Sequence, residues 1–197
     1  MSKVLWKAGT MVYPLPPVMV SCGTMEVPNI VTVAWTGIAN SDPAMTYISL
    51  KPSRYSHDII QKTENFVINL TCEDLVKAAD FCGVKSGRDT DKFTATNLTP
   101  LPCEHVLAPM IAESPVSLEC QVTEIIALGS HDMFLAEIKG VYIENELMND
   151  RGLFQLEKSG VVAFCHGHYY ALGRHLGKFG FSVEKKRSAT YRRPDNR

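Results

Sequence analysis

The chain lacks an excess of charge of either sign: 20 Lys and Arg stand against 21 Asp and Glu in 197 residues, a formal net charge of −1. That balance removes the electrostatic footprint of a nucleic-acid or anionic-membrane binder and points to a small-molecule partner. It also lacks any apolar run near the roughly 18 residues needed to cross a bilayer. No charged, then apolar, leader opens it, so a soluble, cytoplasmic protein is expected. The six cysteines, Cys22, Cys72, Cys82, Cys103, Cys120 and Cys165, include no C-x-x-C pair and read as reduced thiols. The sequons at Asn69 and Asn97 would matter only in a secreted protein.

Several chemistries are missing too. GRHLGK (173–178) is one residue short of a phosphate-binding P-loop and is followed by Phe179 where Ser or Thr would hold magnesium. No G-x-G-x-x-G follows a strand, which removes the dinucleotide fingerprint. No G-x-S-x-G or H-E-x-x-H motif supports a hydrolase. Cys165-His166-Gly167-His168 invites a metal reading, since residues 166 and 168 would share a face if extended. With no second cluster at ligand spacing, no metal site is expected.

What is present is strand. With 45% hydrophobic residues the chain can bury one substantial core, so a single domain is the expectation. VMVSCG (18–23), NIVTVAWTGIAN (29–40), AMTYISL (44–50) and NFVINL (65–70) are rich in β-branched and aromatic residues and bounded by Gly, Pro and Asp. SLECQVTEIIALG (117–129) and DMFLAEIKGVYIE (132–144) alternate across a Gly129-Ser130-His131 turn and predict a hairpin. Together they suggest an antiparallel barrel. Short helices are predicted at SHDIIQKT, with Ser56 as N-cap, and at TCEDLVKAADFCG. The second has a Thr71-x-x-Asp74 capping signal, an apolar face of Leu75, Ala79 and Cys82, and Gly83 as the stop. GLFQLEK reads as helical and GVVAFC (160–165) as strand. The long connection from Gly83 to Pro115, with its SGRDTDKF loop, is a place to look for ligand or partner contacts.

Two stretches carry candidate chemistry. In ISLKPSRYSHDII (48–60) an apolar strand stops at Pro52, and Arg54 and Ser56 then precede a helix start. Unpaired N–H groups, the positive helix end, a guanidinium fork and a hydroxyl suit a phosphate. A capped helix with a surface ion pair accounts for the same residues. NIVTVAW places Thr32, Val33, the small Ala34 and Trp35 along a strand where a planar heteroaromatic ring could meet main-chain groups; an ordinary barrel strand with a core Trp reads the same way. Lys92, after the SGRDT loop, is a second cation or a solvated loop charge.

VSCG, NIVTVAWTG, ISLKPSRYSHDII, FVINL, DKF and YALGRHLGKFGFS, taken in order, resemble the flavin reductase-like family with the FMN-binding split-barrel fold, and within it the flavoredoxin branch. The resemblance reaches to about Ser182. It implies a mainly β fold, a six-stranded antiparallel Greek-key split barrel with inserted helices, spanning residues 1–183. The basic tail, 184–197, is expected to be tied down by a partner subunit in a homodimer. It further implies a bound FMN: the ring against Thr32, Val33, Ala34 and Trp35, the phosphate on Arg54, Tyr55 and Ser56 with Lys92, and Asn29 and Ser49 as outlying contacts. NADH or NADPH would donate electrons, passed on to free flavin or another acceptor, and no side chain is assigned a catalytic role. Two alternatives stay open: an electron-transfer protein reduced by a protein donor, and a non-catalytic FMN-binding or sensing module for which the thiols are the hook.

Overall fold

The computed structural model describes residues 1–184, so the basic tail from residue 185 onward lies outside the described residues. Four strands come first: β1 (Val18–Gly23), β2 (Pro28–Val33), β3 (Thr36–Ser41) and β4 (Ala44–Leu50). Helix α1 (Tyr55–Thr63) leads to β5 (Asn65–Leu70), and α2 (Val76–Val84) and α3 (Lys92–Thr96) follow. A two-residue ladder, β6 (Pro100–Leu101) with β7 (Met110–Ile111), precedes the long hairpin β8 (Val116–Ala127) and β9 (Asp132–Ile143). A small hairpin, β10 (Val162–Cys165) and β11 (His168–Ala171), closes the described chain.

The main sheet has seven antiparallel strands in the order β2-β1-β5-β8-β9-β4-β3, where six were expected. The difference is local. The single run predicted over 29–40 breaks at Ala34-Trp35, giving β2 at one edge of the sheet and β3 at the other. Val33 and Thr36 are three Cα steps apart, at most about 11 Å. The sheet must therefore roll until its edges meet at this bend, where the Trp35 carbonyl accepts the Ser49 N–H at 2.9 Å.

Rolling gives the sheet an inside and an outside. Val18, Val20, Cys22, Val31, Val33, Ile48, Phe66, Ile68 and Phe134 pack within it, with Ile60 of α1 closing one end. The alternate residues Met19 and Ile30 face outward and are covered by Leu75, Ala79, Cys82, Phe93 and Leu98 from the α2–α3 region. Both faces of β1 and β2 are thus buried, which is why these strands read as nearly continuous apolar runs. Each Val, Leu, Ile, Met or Phe among them contributes about 1.5–3 kcal/mol on burial.

Buried polar groups fix the loops to this frame. Asn69, fully buried, donates to the Met19 carbonyl and the Ser21 hydroxyl, each at 2.9 Å, and accepts from Ile111 N–H and Ser117 Oγ. The sequon asparagine is a core staple. Glu119, also fully buried, accepts the main-chain N–H groups of Glu104 and His105 and the His105 ring Nδ1, clamping the 103–105 loop onto β8.

Several local expectations are corrected. Ser56 does not cap α1; Arg54 occupies the N-cap with no side-chain cap bond, and Ser56 lies buried in the first turn. Thr71 caps nothing, and its buried hydroxyl has no partner among the described residues; a 3-10 turn, Glu73–Leu75, starts the next helical stretch instead. Gly83 does not stop α2, which runs on to Val84. The glycine serves close packing, since a Cβ there would sit 3.3 Å from Thr32 Cβ. GLFQLEK forms only the 3-10 turn Leu156–Lys158. His166 is not extended beside His168: its φ of 51° and Gly167's of 86° make the β10–β11 turn.

Candidate functional site

At the start of α1 the chain opens a cleft of about 360 Å³ lined by Lys51, Arg54, Lys85, Arg88 and Lys92, with Ser53, Tyr55, Ser56, Ser86, Gly87 and Val31 between them. Five cations and no carboxylate face it. None of the five meets an acidic group within ion-pair distance among the described residues. The first-turn N–H groups of Tyr55 and Ser56 have no backbone partner there either, so the positive end of the helix adds to the field.

Main-chain carbonyls hold three of these cations in place. Arg54 donates to the Gly83 carbonyl at 3.1 Å, and Arg88 donates to the Ser53 carbonyl at 3.2 Å while lying over the Tyr55 ring at 5.3 Å. Lys92 is 4% exposed; its ammonium donates to the carbonyls of Ile30 at 2.6 Å and Cys82 at 2.8 Å. Burial lowers its pKa from the usual lysine value, opposed by Cys82 and Cys22 and abetted by Arg54. Three protons on the nitrogen and two carbonyls leave one donor for the cleft.

Behind the wall, Asn29 donates to Ser56 Oγ at 2.7 Å. The same hydroxyl lies buried beside the Cys22 thiol at the wall of the cleft. Gly87 makes this packing feasible, because a Cβ there would overlap the Asn29 side-chain oxygen and lie 2.8 Å from Tyr55 Cδ1.

A second pocket of about 170 Å³ joins the first through Val31, Lys51 and Arg54. It is lined by Thr32, Val33, Ala34 and Trp35 together with Ser49, Leu50 and His131. As an edge strand, β2 is paired in the sheet only with β1, and alternate main-chain groups along it are left unpaired by the ladder. The Thr32 hydroxyl is turned away, donating to the Ala79 carbonyl of α2.

The structure therefore brings nine of the ten anticipated residues to two adjoining pockets, Arg54, Tyr55, Ser56 and Lys92 in one and Thr32, Val33, Ala34, Trp35 and Ser49 in the other. Asn29 lines neither and lies behind the first, hydrogen-bonded to Ser56. Lys51, Lys85, Arg88 and His131 were missed. Lys51 flanks Pro52 in the stretch already singled out, and Arg88 sits in the SGRDT loop flagged for ligand contacts. His131 carries no local signal: pairing of Leu50 with Asp132 across β4 and β9 sets it beside Lys51.

Residues 10–173 match the family model for the flavin reductase like domain. The chain belongs to that family. It is similar to the flavoredoxin of Desulfovibrio vulgaris (Miyazaki F), at 34% identity and a TM-score of 0.86, over 93% of this chain and all of that one (100%). The flavoredoxin from Methanosarcina acetivorans superposes with a TM-score of 0.84 at 25% identity, again over 93% and 100% of the two chains. An uncharacterized protein of Archaeoglobus fulgidus is 30% identical over 126 residues, 64% of this chain and 71% of its own length. At 20% identity and a TM-score of 0.76, over 85% of this chain and 86% of that one, a flavin reductase with a split barrel domain from Shewanella frigidimarina supports the same fold. The rolled sheet of this flavin reductase-like chain is thus of split-barrel type, with the seven strand segments described above.

Among the described residues no helix is long and apolar enough to cross a membrane. In the 165–168 stretch His166 lies against the Tyr13 ring, centroids 5.4 Å apart.

Proposed function

We propose that this protein is an FMN-binding oxidoreductase, a homodimer that takes electrons from NADH or NADPH and passes them to free flavin or another acceptor. The observation that carries the reading is the cluster of five cations without a carboxylate, at an uncapped helix start, continuous with a slot along an edge strand. A phosphate at one end and a planar ring at the other fit this donor set. Arg54, Ser56, Lys92 and the first-turn N–H groups of α1 would hold the phosphate, and Thr32–Trp35 would lie along the ring. When bound, FMN supplies the electron-accepting ring and the protein its position and surroundings. Main-chain groups of β2 would be available to the edge of the ring, and Trp35 and His131 would wall it from water. No side chain is assigned acid–base chemistry in this reading.

The homodimer is supported by apolar side chains left in solvent at both ends of the described chain, among them Leu5, Trp6, Val12, Leu176, Phe179 and Val183. A sensing module is less well supported. Burial pushes the Cys22 and Cys82 thiols up to about 11 and those of Cys103 and Cys120 to about 12, which suppresses the reactive thiolate.

A second reading, electron transfer from a protein donor without nicotinamide, is favoured by the 34% identity to a flavoredoxin. The visible spectrum of the purified protein, before and after anaerobic NADH and NADPH, separates the two. Flavin bands that bleach within seconds support the nicotinamide-dependent reductase, and persistent bands support the protein donor. Absence of flavin bands after reconstitution with FMN refutes both.

A further inference from the structure

His131, at the ring end of the cleft, has a chemistry beyond walling the pocket. The His131 ring centroid is 4.4 Å from that of Trp35, at an interplanar angle of 37°. Its Nδ1 lies 2.9 Å from the Ser130 hydroxyl, while the ring lines the same pocket as Thr32–Trp35. The charged groups around it are Lys51 and Arg54 from the link between β4 and α1, and Asp132 at the start of β9. Asp132 is itself engaged by His57 Nε2 at 2.8 Å. Burial, then Lys51 and Arg54, hold the imidazole below the usual histidine value against the opposing pull of Asp132, which favours its neutral form in the free protein.

We propose that His131 is the redox-linked proton acceptor of the cleft, taking up a proton when the ring bound against Trp35 gains negative charge. The inference rests on the flavin reading and deepens it. Hydride transfer from a nicotinamide delivers two electrons and one proton, leaving oxidised nicotinamide and a flavin ring with one net negative charge. That charge, beside a neutral imidazole already flanked by two cations, raises the proton affinity of His131. The second proton then comes from solvent to the imidazole, and the anionic ring faces a cation.

The test is the midpoint potential of the FMN-loaded protein against pH, from about pH 5 to 9, for the wild type and for His131→Asn and His131→Gln. For a two-electron couple each coupled proton contributes about 30 mV per pH unit. The wild type should show a segment near 60 mV per pH unit that starts below the ordinary histidine pKa and is reduced to about 30 mV in both variants. Equal slopes in all three proteins overturn the proposal. A second readout needs no cofactor. In a Trp6→Phe background, Trp35 emission should be quenched on acidification with a midpoint below 6.5, and His131→Asn should abolish that transition. A transition that survives the substitution, or none at all, also overturns it. If the wild type fails to bind FMN, the flavin reading itself falls; bound FMN with equal slopes sinks only the role of His131.

Discussion

Replacing Arg54 with Ala should separate binding from folding. The side chain is exposed, makes one hydrogen bond, to the Gly83 carbonyl at 3.1 Å, and has no carboxylate partner among the described residues. Its removal leaves that carbonyl accessible to water, so the stability change should stay within about 0.5 kcal/mol, as for ordinary surface substitutions. A hydrogen bond to a charged group is worth about 1.5–3 kcal/mol, which at 1.4 kcal/mol per decade weakens FMN binding about 10- to 140-fold. Titration of flavin fluorescence with apoprotein measures the affinity, and urea unfolding measures the stability. Arg54→Lys should fall between, because it keeps the charge and loses the planar fork. An affinity within about twofold of wild type in a normally folded Arg54→Ala protein would refute the phosphate assignment, since the loss predicted from a charge-assisted bond is far larger.

Lys92→Met should behave differently: it strips the Ile30 and Cys82 carbonyls of their buried donor, at about 1–3 kcal/mol each, so urea denaturation should show lower stability as well as weaker FMN binding. Gly87→Ala should push Asn29 and Tyr55 away from Ser56 and raise the FMN dissociation constant, read by the same fluorescence titration, with little change in the spectrum of the folded protein. For Glu119, burial pushes the carboxyl up, but the hydrogen bonds from His105 and Glu104 outweigh it and its pKa is lowered. Its contribution to stability is therefore full above the unfolded value near 4.5 and lost as pH falls through the lower folded value. Glu119→Gln should flatten that acid limb in denaturation curves below about pH 5 and cost about 1.5–3 kcal/mol at neutral pH.

The strands were legible where burial on both faces left a nearly continuous apolar run, as in β1 and β5, or where the two faces differ, as along β9. The bend at Ala34-Trp35 was not. Passing from one edge of the rolled sheet to the other changes the pairing partner of the chain while its composition stays strand-like throughout. Capping signals misled for a related reason. Ser56 and Thr71 have the residue types of caps, yet Asn29 claims the first and burial isolates the second. The cation-lined end of the site was legible because proline, arginine, serine and a helix start adjoin in sequence. Lys92 was harder: a lysine after a polar loop reads as solvated, and only the seating of α3 on β2 sinks it to 4% exposure. Lys85 and His131 join the site through packing of separate elements, which no local pattern encodes.

Gathering Lys51, Arg54, Lys85, Arg88 and Lys92 around one cleft works against the fold, because like charges without an intervening carboxylate repel. A bound dianion reverses the sign of that term, and ligand and fold then stabilise each other. At about 100 times its dissociation constant FMN should add about 2.7 kcal/mol, and a chain of this size gains about 2–4 °C in Tm per kcal/mol, so a rise of about 5–11 °C is expected. Riboflavin carries the same ring without the phosphate. At the same concentration it should raise Tm by much less, and the gap between the two ligands should narrow with added salt as the exposed cations of the cluster are screened. In Arg54→Ala the gap should shrink at every salt concentration. Equal shifts from FMN and riboflavin in the wild type would mean that the five cations serve some other anion and that the ring alone holds the ligand.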